Sequence, residues 1–358
     1  MLIFGSIMPF RMPFRIRSVV IVLVVVLVLT FMYSLAVHEF IALKKVRTNK
    51  IIDAAVKSLT ADEIQEIYTK DYSVTEIKTR VQKEREEIDK LPLGIKRQRL
   101  PDVILIGIFK AGTGTTTAWL SRHPQIHQVK NPNKGFCAIS YRYAEYVTNF
   151  PNISNDKKIF ERTMCYSNQI VRERMAAAYQ QRNVKFLIVI RDPIDRLISG
   201  YVQRVLEKDK NEPFDEHICS SNGTIQMDND CNNSIERSVY VNELAKWLLV
   251  FPRESIHLVD GDNFAKTPWV ELQKIERLLK LDHFFSEDRF PINPENPKFR
   301  CFIKYNETEP SCMGLKKGRS HPKISEETKL KLRKFFKPYN EQLFTLAGQR
   351  FSWGVNYD

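Results

Sequence analysis

Hydrophobic positions follow two different patterns along the chain. Residues 18–37 (SVVIVLVVVLVLTFMYSLAV) form one apolar run of about twenty residues without a charge. A helix of that length, at ~1.5 Å per residue, spans a hydrocarbon core of ~30 Å. The run therefore predicts a membrane-spanning helix, and a cleaved signal peptide is the alternative.

From residue 101 onwards, short apolar runs rich in β-branched residues alternate with helical patterns. The runs cover residues 102–107, 184–190 and 256–260, and each is followed by a turn and a helical segment. Continuous apolar strands that alternate with helices are typical of a parallel sheet covered on both faces. The pattern predicts one α/β domain over 101–358, and a helix that Ser325 caps and Pro338 interrupts or bends.

The segment between these two patterns is polar and partly helical. We assign 1–17 to a cytosolic tail, 18–37 to the membrane helix and 38–100 to a stem that ends at the Leu-Pro-Leu-Gly break at 91–94. Packing of the stem on the α/β domain is an alternative that the sequence leaves open.

Composition and charge narrow the classes of partner. Hydrophobic residues make up 43% of the chain, which is enough for a core, and 55 Lys and Arg against 42 Asp and Glu give a net charge of +13. A basic balance favours an anionic partner such as nucleic acid, acidic lipid, nucleotide or acidic polysaccharide. The excess is spread along the chain without a Lys/Arg block, which argues against a nucleic-acid-binding arm.

Cysteines and glycosylation motifs orient the chain across the membrane. The cationic flanks of the apolar run nearly balance, so they do not orient it. Six cysteines and four Asn-x-Ser/Thr motifs all follow the run; the motifs start at Asn152, Asn222, Asn232 and Asn306. They predict a body in the secretory lumen, the type II arrangement. The cysteines form no CxxC pair, which argues against a zinc site.

Three clusters of residues carry candidate chemistry. Gly107 to Thr115 (GIFKAGTGT) lies between a strand and a helix, where backbone N–H groups can bind an anion. It is not a Walker A loop, because Thr113 stands where that motif has lysine. A tight turn without a ligand is the alternative.

The second cluster follows the next strand. Arg191 offers a planar fork to phosphate, and Ser199 could present a hydroxyl to the same anion. An Arg191–Asp195 or Asp192–Arg196 surface pair is the alternative. The third cluster, residues 316–322 (KKGRSHP), places three cations around one glycine and resembles a phosphate-binding loop. A solvated run of charges is the alternative.

Together these clusters resemble carbohydrate sulfotransferases that use 3′-phosphoadenosine 5′-phosphosulfate (PAPS). The closer match, over about 101–353, is to heparan sulfate glucosamine 3-O-sulfotransferases. Supporting stretches are PDVILIG at 101–107, SRHP at 121–124, FPRESIHLVDGD at 251–262 and ELQKIERLLKL at 271–281. The N-sulfotransferase domain of heparan sulfate deacetylase/sulfotransferases shares much of this pattern and is the nearest alternative.

The resemblance implies a P-loop-like sulfotransferase domain, a central parallel sheet flanked by helices, and PAPS as donor without a metal. It assigns the donor's 5′-phosphosulfate to Lys110, Ala111, Gly112, Thr113 and Gly114. It assigns the 3′-phosphate to Arg191 and Ser199, and a loop closing on the nucleotide to Lys317, Gly318, Arg319, Ser320 and His321. Lys110 would also neutralise charge on the leaving oxygen.

The resemblance also places acceptor-binding residues and disulfides. Gln203 corresponds to an acceptor contact, Arg162 to an acceptor-binding lysine that also serves catalysis, and Lys134 to a histidine beside the acceptor. The Cys301–Cys312 disulfide matches the family. We further predict pairs Cys137–Cys165 and Cys219–Cys231, and other pairings of these four remain open.

One departure from the family concerns the catalytic base. The family's glutamate corresponds to Pro132, and no carboxylate occurs between 130 and 144, so Glu161 is a candidate replacement. The prediction is a Golgi type II 3-O-sulfotransferase that acts on heparan sulfate and binds no nucleic acid. The alternatives are a catalytically impaired paralogue that binds donor or heparan sulfate, or an N-sulfotransferase-like or other glycosaminoglycan sulfotransferase.

Overall fold

A computed structural model gives the fold of the α/β domain and of the helices that precede it. It describes residues 74–96, 99–129, 136–137, 141–148, 150–163, 165–179, 183–208, 213–214, 218, 220–221, 224–225, 235–305, 307–313 and 321–358. The helices are α1 Val74–Asp89, α2 Leu93–Lys96, α3 Thr113–Leu120, α4 Tyr143–Val147, α5 Gln169–Ala178, α6 Pro193–Lys208, α7 Tyr240–Leu248, α8 Gly261–Lys266, α9 Pro268–Leu279 and α10 Glu326–Ala347. The strands are β1 Val103–Gly107, β2 Ile126–Gln128, β3 Lys158–Arg162, β4 Lys185–Ile190, β5 Ser220–Ser221, β6 Thr224–Ile225, β7 Ile256–Asp260, β8 Phe302–Ile303 and β9 Pro310–Ser311.

A parallel sheet forms the centre of the domain. Its strand order is β2-β3-β1-β4-β7, and every neighbouring pair is parallel. Val103 of β1 lies opposite Phe160 of β3 and Lys185 of β4. All five residues of β1 are buried, as a strand between two covered faces requires. The predicted α/β domain with a central parallel sheet flanked by helices is confirmed.

Helix α1, which the sequence placed in the stem, packs against the domain. Ile77 and Val81 are buried, and the helix lies against α5. Arg80 Nε lies 3.1 Å from the buried carboxylate of Glu173 on α5. The alternative that this part of the segment packs on the body is therefore the one observed for 74–89.

The C-terminal helix α10 confirms one prediction and corrects another. The Ser325 hydroxyl accepts the N–H of Thr328 at 3.0 Å, which is the predicted N-cap. Of the two outcomes predicted at Pro338, interruption is wrong, because the helix continues from Glu326 to Ala347, and a bend stays a prediction. Leu332 and Phe336 before the proline and Leu343 after it are all buried, and this packing stabilises both halves.

Two of the predicted disulfides are present. Cys137 bonds Cys165, and Cys301 bonds Cys312. Cys219 and Cys231 lie outside the described residues. Of the predicted glycosylation sites, Asn152 lies on an exposed loop before β3. The other three, Asn222, Asn232 and Asn306, lie outside the described residues.

The predicted membrane helix at 18–37 also lies outside the residues that the structure describes, as do the tail and residues 38–73 of the stem. Within the described part of the chain, no helix is long and apolar enough to cross a bilayer.

Candidate active site

Three strands deliver turns to one edge of the sheet. β1, β4 and β7 are adjacent and parallel, so their carboxyl ends lie side by side. A helix follows each of them: α3 after β1, α6 after β4 and α8 after β7. Ligands of open α/β sheets bind at this edge.

The turn after β1 leaves backbone donors for a ligand. Lys110 and Gly112 have positive φ angles of 69° and 115°, in the left-handed region, and helix α3 begins directly after Gly112 without a side-chain cap. The N–H groups of Gly112, Thr113 and Gly114 have no hydrogen-bond acceptor among the described residues. The helix dipole adds partial positive charge there, so the turn can bind an anion.

The side chain of Lys110 reaches from this turn to helix α6. Its Nζ donates to Gln203 Oε1 at 3.3 Å. Gln203, Ser199 and Asp195 are four residues apart in turn on α6 and therefore share one helix face. The structure thus brings Lys110 and Gln203 together and places Ser199 between Gln203 and the turn after β4.

Arg191 stands at the end of β4 and faces two carboxylates. Its Nη2 lies 3.1 Å from Asp195 Oδ2 and 3.4 Å from Asp262 Oδ1. The predicted alternative, an Arg191–Asp195 pair, is therefore present. Nε of Arg191 is buried without a hydrogen-bond partner in the described part of the chain, although the side chain is 23% exposed. One donor of the guanidinium therefore remains for an anion.

Sequence reasoning missed Asp262. Burial raises the pKa of its carboxyl, and Arg191 opposes that rise. Asp262 also accepts the N–H of Asp192 at 2.6 Å, so it connects the turns after β4 and β7. The signal was available, because Asp-Gly-Asp follows the third apolar run and parallel strands end at the same edge.

A cavity lies between these turns and contains the side chain of Arg191. The lining comes from the β1 turn, the end of β4 and the start of α8: Ala111, Gly112, Thr115, Thr116, Val189, Arg191, Gly261, Asp262, Phe264, Ala265 and Phe299. A Cβ on Gly261 would lie 2.5 Å from the carbonyl oxygen of Ala111 and 2.9 Å from that of Ile190. Glycine at this position lets the three turns approach one another. The uncapped start of α3 and the unpartnered Nε of Arg191 at this cavity fit the phosphate groups of a nucleotide donor.

The third predicted cluster reaches this region only through His321 in the described residues. His321 Nδ1 lies 3.8 Å from Asp195 Oδ1, beside Arg191, and burial lowers the pKa of the imidazole. Lys317, Gly318, Arg319 and Ser320 lie outside the described residues, as does Lys134. Their predicted contacts stay predictions.

A second cavity lies on the other side of the β1 turn and contains Arg162. Its lining residues are Gly107, Phe109, Thr113, Arg162, Thr163, Tyr166, Ser167 and Arg237. The Tyr166 hydroxyl accepts the N–H of Phe109 at 3.1 Å, and the Tyr166 ring lies against Gly107, where a Cβ would be 2.9 Å from it. Burial lowers the pKa of Arg162. We name this site the arginine cavity.

Sequence reasoning missed Tyr166 and Arg237. Neither belongs to a recognisable motif, and Tyr166 meets Phe109 across 57 residues of sequence. Only the placement of β3 beside β1 brings them to the turn.

Glu161, the candidate base, is not brought into the arginine cavity. Neighbouring residues on a strand point to opposite faces, so Glu161 and Arg162 diverge. The Glu161 carboxylate is buried and accepts the Tyr146 hydroxyl at 2.5 Å, and burial raises its pKa to about 7. This placement does not favour a base role for Glu161, which stays an untested prediction.

The described lining of the arginine cavity carries neither carboxylate nor imidazole. In the same described residues, no group of three or more His, Cys, Asp and Glu is arranged to bind a metal ion.

Known proteins with similar sequences belong to one family. A family model described as sulfotransferase domain matches residues 100–290. The chain is 30% identical over 264 residues to human heparan sulfate glucosamine 3-O-sulfotransferase 3B1, covering 73% of this chain and 66% of that protein, slightly less than two thirds. It is also 30% identical to mouse heparan sulfate glucosamine 3-O-sulfotransferase 5, covering 72% and 75%.

A solved structure supports the fold alone. The crystal structure of a sulfotransferase from Alicyclobacillus acidocaldarius matches with a TM-score of 0.53 at 18% identity, covering 72% of this chain and 99% of that one.

Proposed function

Because the chain belongs to the sulfotransferase family, and within it to the heparan sulfate glucosamine 3-O-sulfotransferases, we propose that it transfers a sulfuryl group from PAPS to the 3-hydroxyl of glucosamine in heparan sulfate. The observation that carries the proposal is the anion site of the β1 turn. There, free N–H groups, Lys110 and the nearby Arg191 converge on one edge of the sheet.

The turns after β1 and β4 would bind the donor. Its phosphosulfate would accept hydrogen bonds from the N–H groups of Gly112, Thr113 and Gly114, with Ala111 forming the wall. Its 3′-phosphate would bind Arg191 and Ser199. His321, together with Lys317, Gly318, Arg319 and Ser320, would close over the nucleotide. PAPS supplies the sulfuryl group when bound.

The transfer step forms one bond and breaks another at sulfur. The sugar hydroxyl oxygen bonds to sulfur, the bond from sulfur to the 5′-phosphate oxygen breaks, and adenosine 3′,5′-bisphosphate leaves. Lys110 would neutralise the charge that develops on the departing oxygen. Arg162, Gln203 and Lys134 would orient the acceptor. The hydroxyl proton passes to a base.

A specific observation favours a second candidate, a catalytically impaired paralogue that still binds donor or heparan sulfate. Pro132 stands where the family's base is expected, and Glu161 faces away from Arg162. Loss of a general base typically slows such a reaction by ~10²–10⁴-fold.

We further propose that the chain is a single-pass type II protein of the Golgi membrane, anchored by residues 18–37, with its domain in the lumen. The apolar run, the Cys137–Cys165 and Cys301–Cys312 disulfides and the exposed Asn152 support this topology. Protease protection of the full-length chain in sealed Golgi vesicles tests it, and digestion of the domain without detergent would refute it.

Transfer of radiolabelled sulfate from PAPS tests the activity. The acceptors are heparan sulfate, N-desulfated heparan sulfate and chondroitin, with disaccharide analysis of the product. Label at the 3-hydroxyl of glucosamine is the expected result, and label confined to the amine would indicate N-sulfation. A folded protein that binds adenosine 3′,5′-bisphosphate but incorporates no label would be the impaired paralogue. Retained activity in Glu161→Gln would exclude Glu161 as base.

A further inference from the structure

Arg237 brings a second guanidinium to the arginine cavity. It lies in the short 3₁₀ helix Glu236–Ser238, far in sequence from the other lining residues. Its guanidinium carbon lies 5.9 Å from the centroid of the Phe109 ring, and Lys110 Nζ lies 5.9 Å from the same centroid. Both cations therefore lie near the same aromatic ring.

The nearest carboxylates are engaged elsewhere. Glu236, next to Arg237 in sequence, lies 3.9 Å from Lys246. Glu243 accepts from the Trp247 indole at 3.0 Å and pairs with Arg172. Among the described residues, Arg237 has no ion pair, and no lining residue of the cavity is acidic. The positive charge of Arg237 is therefore not compensated by this part of the chain.

Other cations add to the potential around Tyr166. Arg196 is 1% exposed, and burial followed by the nearby charges of Arg237 and Arg191 lowers its pKa to about 10. Arg162, which lines the same cavity, is half-buried. Arg237 is exposed and therefore accessible to a ligand, and the forked donors of a guanidinium match carboxylate or sulfate oxygens in geometry.

The arginine cavity is separate from the donor cavity. Their linings share no residue, and the β1 turn forms a wall of both. Since Arg162 is the residue proposed to contact the acceptor, a group bound in this cavity would belong to the acceptor rather than to the donor.

We propose that Arg237 is a specificity-determining residue that, in the cavity it lines with Arg162, binds one anionic group of the acceptor, a carboxylate or a sulfate. This inference rests on the proposed function and identifies a residue that selects acceptors by their anionic groups. It predicts that the acceptor must carry an anion next to the reacting sugar, because Arg237 has no ion pair within the described part of the chain.

Equilibrium binding of heparan sulfate octasaccharides to the full chain tests this inference without requiring turnover. The three ligands are native, carboxyl-reduced and O-desulfated, and the variants are Arg237→Ala, Arg237→Lys and the control Arg277→Ala. Arg277 is exposed on α9 and lines neither cavity. Binding of adenosine 3′,5′-bisphosphate by each variant reports on folding.

We expect Arg237→Ala to weaken binding of the native octasaccharide about tenfold, which is typical for loss of a hydrogen bond to a charged group. Arg237→Lys keeps the charge and should weaken binding less. The loss should disappear with the octasaccharide that lacks the recognised group, and that arm identifies carboxylate or sulfate. In turnover the same variant should raise KM more than it lowers kcat.

An equal loss on all three octasaccharides, or a loss no larger than that of Arg277→Ala, would overturn the proposal. If Arg237→Ala does not fold, the same comparison of ligands with Arg237→Lys decides. Failure of the proposed function is distinguishable, because it would abolish sulfate transfer by the unaltered chain while leaving these binding differences measurable.

Discussion

The turns after β1, β4 and β7 lie at the same edge of the sheet. They differ in whether a side chain of the protein accepts hydrogen bonds from the N–H groups at the start of the following helix. Helix α3 begins at Gly112 without a side-chain cap. Helix α8 begins at Asp260, whose Oδ1 accepts two N–H groups at 3.1 and 3.0 Å. At the start of α6, Asp192 Oδ1 accepts the N–H of Ile194 at 2.8 Å.

The two capping aspartates also anchor the C-terminal segment. Asp192 accepts from the Tyr357 hydroxyl at 2.9 Å and from Asn356 Nδ2 at 2.8 Å. Asp260 Oδ2 accepts the N–H of Ser352 at 2.7 Å. A negative side chain at a helix N-terminus occupies the donors that an anionic ligand would need. The helix N-termini after β4 and β7 are therefore capped by the protein itself, whereas the N-terminus after β1 can bind a ligand.

Removing the cation of the open turn should have the largest effect. Lys110→Ala should lower kcat for sulfate transfer by about 10²–10³-fold, because the charge on the departing oxygen loses its partner. The thermal midpoint should change little, since Lys110 lies in a turn at the edge of the sheet and its Nζ hydrogen-bonds Gln203 rather than a core residue. Steady-state kinetics and thermal unfolding measure both, with Lys334→Ala on α10 as control. Equal losses in both variants would contradict the assignment.

Removing a cap should instead destabilise the fold. Asp192→Ala should lower the free energy of unfolding by about 3 kcal/mol, because a buried carboxylate that accepts several hydrogen bonds is lost. Denaturant unfolding measures it. Asp195→Ala, an exposed carboxylate in the same helical turn, should cost less than about 1 kcal/mol. A similar loss in both would show that the cap contributes little.

Arg191 tests whether a capped turn still contributes a side chain to the site. Arg191→Ala should weaken binding of adenosine 3′,5′-bisphosphate about tenfold, because the guanidinium loses its contact with phosphate. Titration calorimetry at fixed salt measures this affinity. Arg289→Ala, on the 3₁₀ helix Glu287–Arg289, is the matched control, and unchanged affinity in Arg191→Ala would remove this residue from the donor site.

A cap away from the edge should have the smallest effect. Ser325→Ala should lower the free energy of unfolding by about 1 kcal/mol through loss of its bond to the Thr328 N–H, and donor affinity should not change. Ser325→Asp, which restores an acceptor, should recover most of the stability. A change in donor affinity in Ser325→Ala would mean that α10 is coupled to the site.

Local sequence patterns predicted the strands and the open turn well. The apolar runs became β1, β4 and β7, and the Gly-rich turn lies between β1 and α3 as expected. Lys110 and Gln203 were predicted separately and meet at 3.3 Å. The strands and the glycine-rich turn depend on residues only a few positions apart, so a local pattern is enough to predict them.

Contacts between distant segments were predicted poorly. Glu161 was a candidate base because no carboxylate occurs between 130 and 144, yet its side chain and that of Arg162 lie on opposite faces of β3. Helix α1 was placed in a stem, although Ile77 and Val81 pack on α5. A residue's face and neighbours follow from strand order and helix packing, which no local pattern states.

The parallel α/β architecture, the anion-binding turn and the kinship to sulfotransferases follow from the amino-acid order alone. These depend on hydrophobic runs and on conformations that glycine permits locally. The folded chain was needed to show that Asp192 and Asp260 cap two turns while Gly112 leaves the third uncapped, and that Arg162 and Arg237 line one cavity. The reason is physical: these groups interact through space across the strand order β3-β1-β4-β7, which brings together residues that are dozens of positions apart.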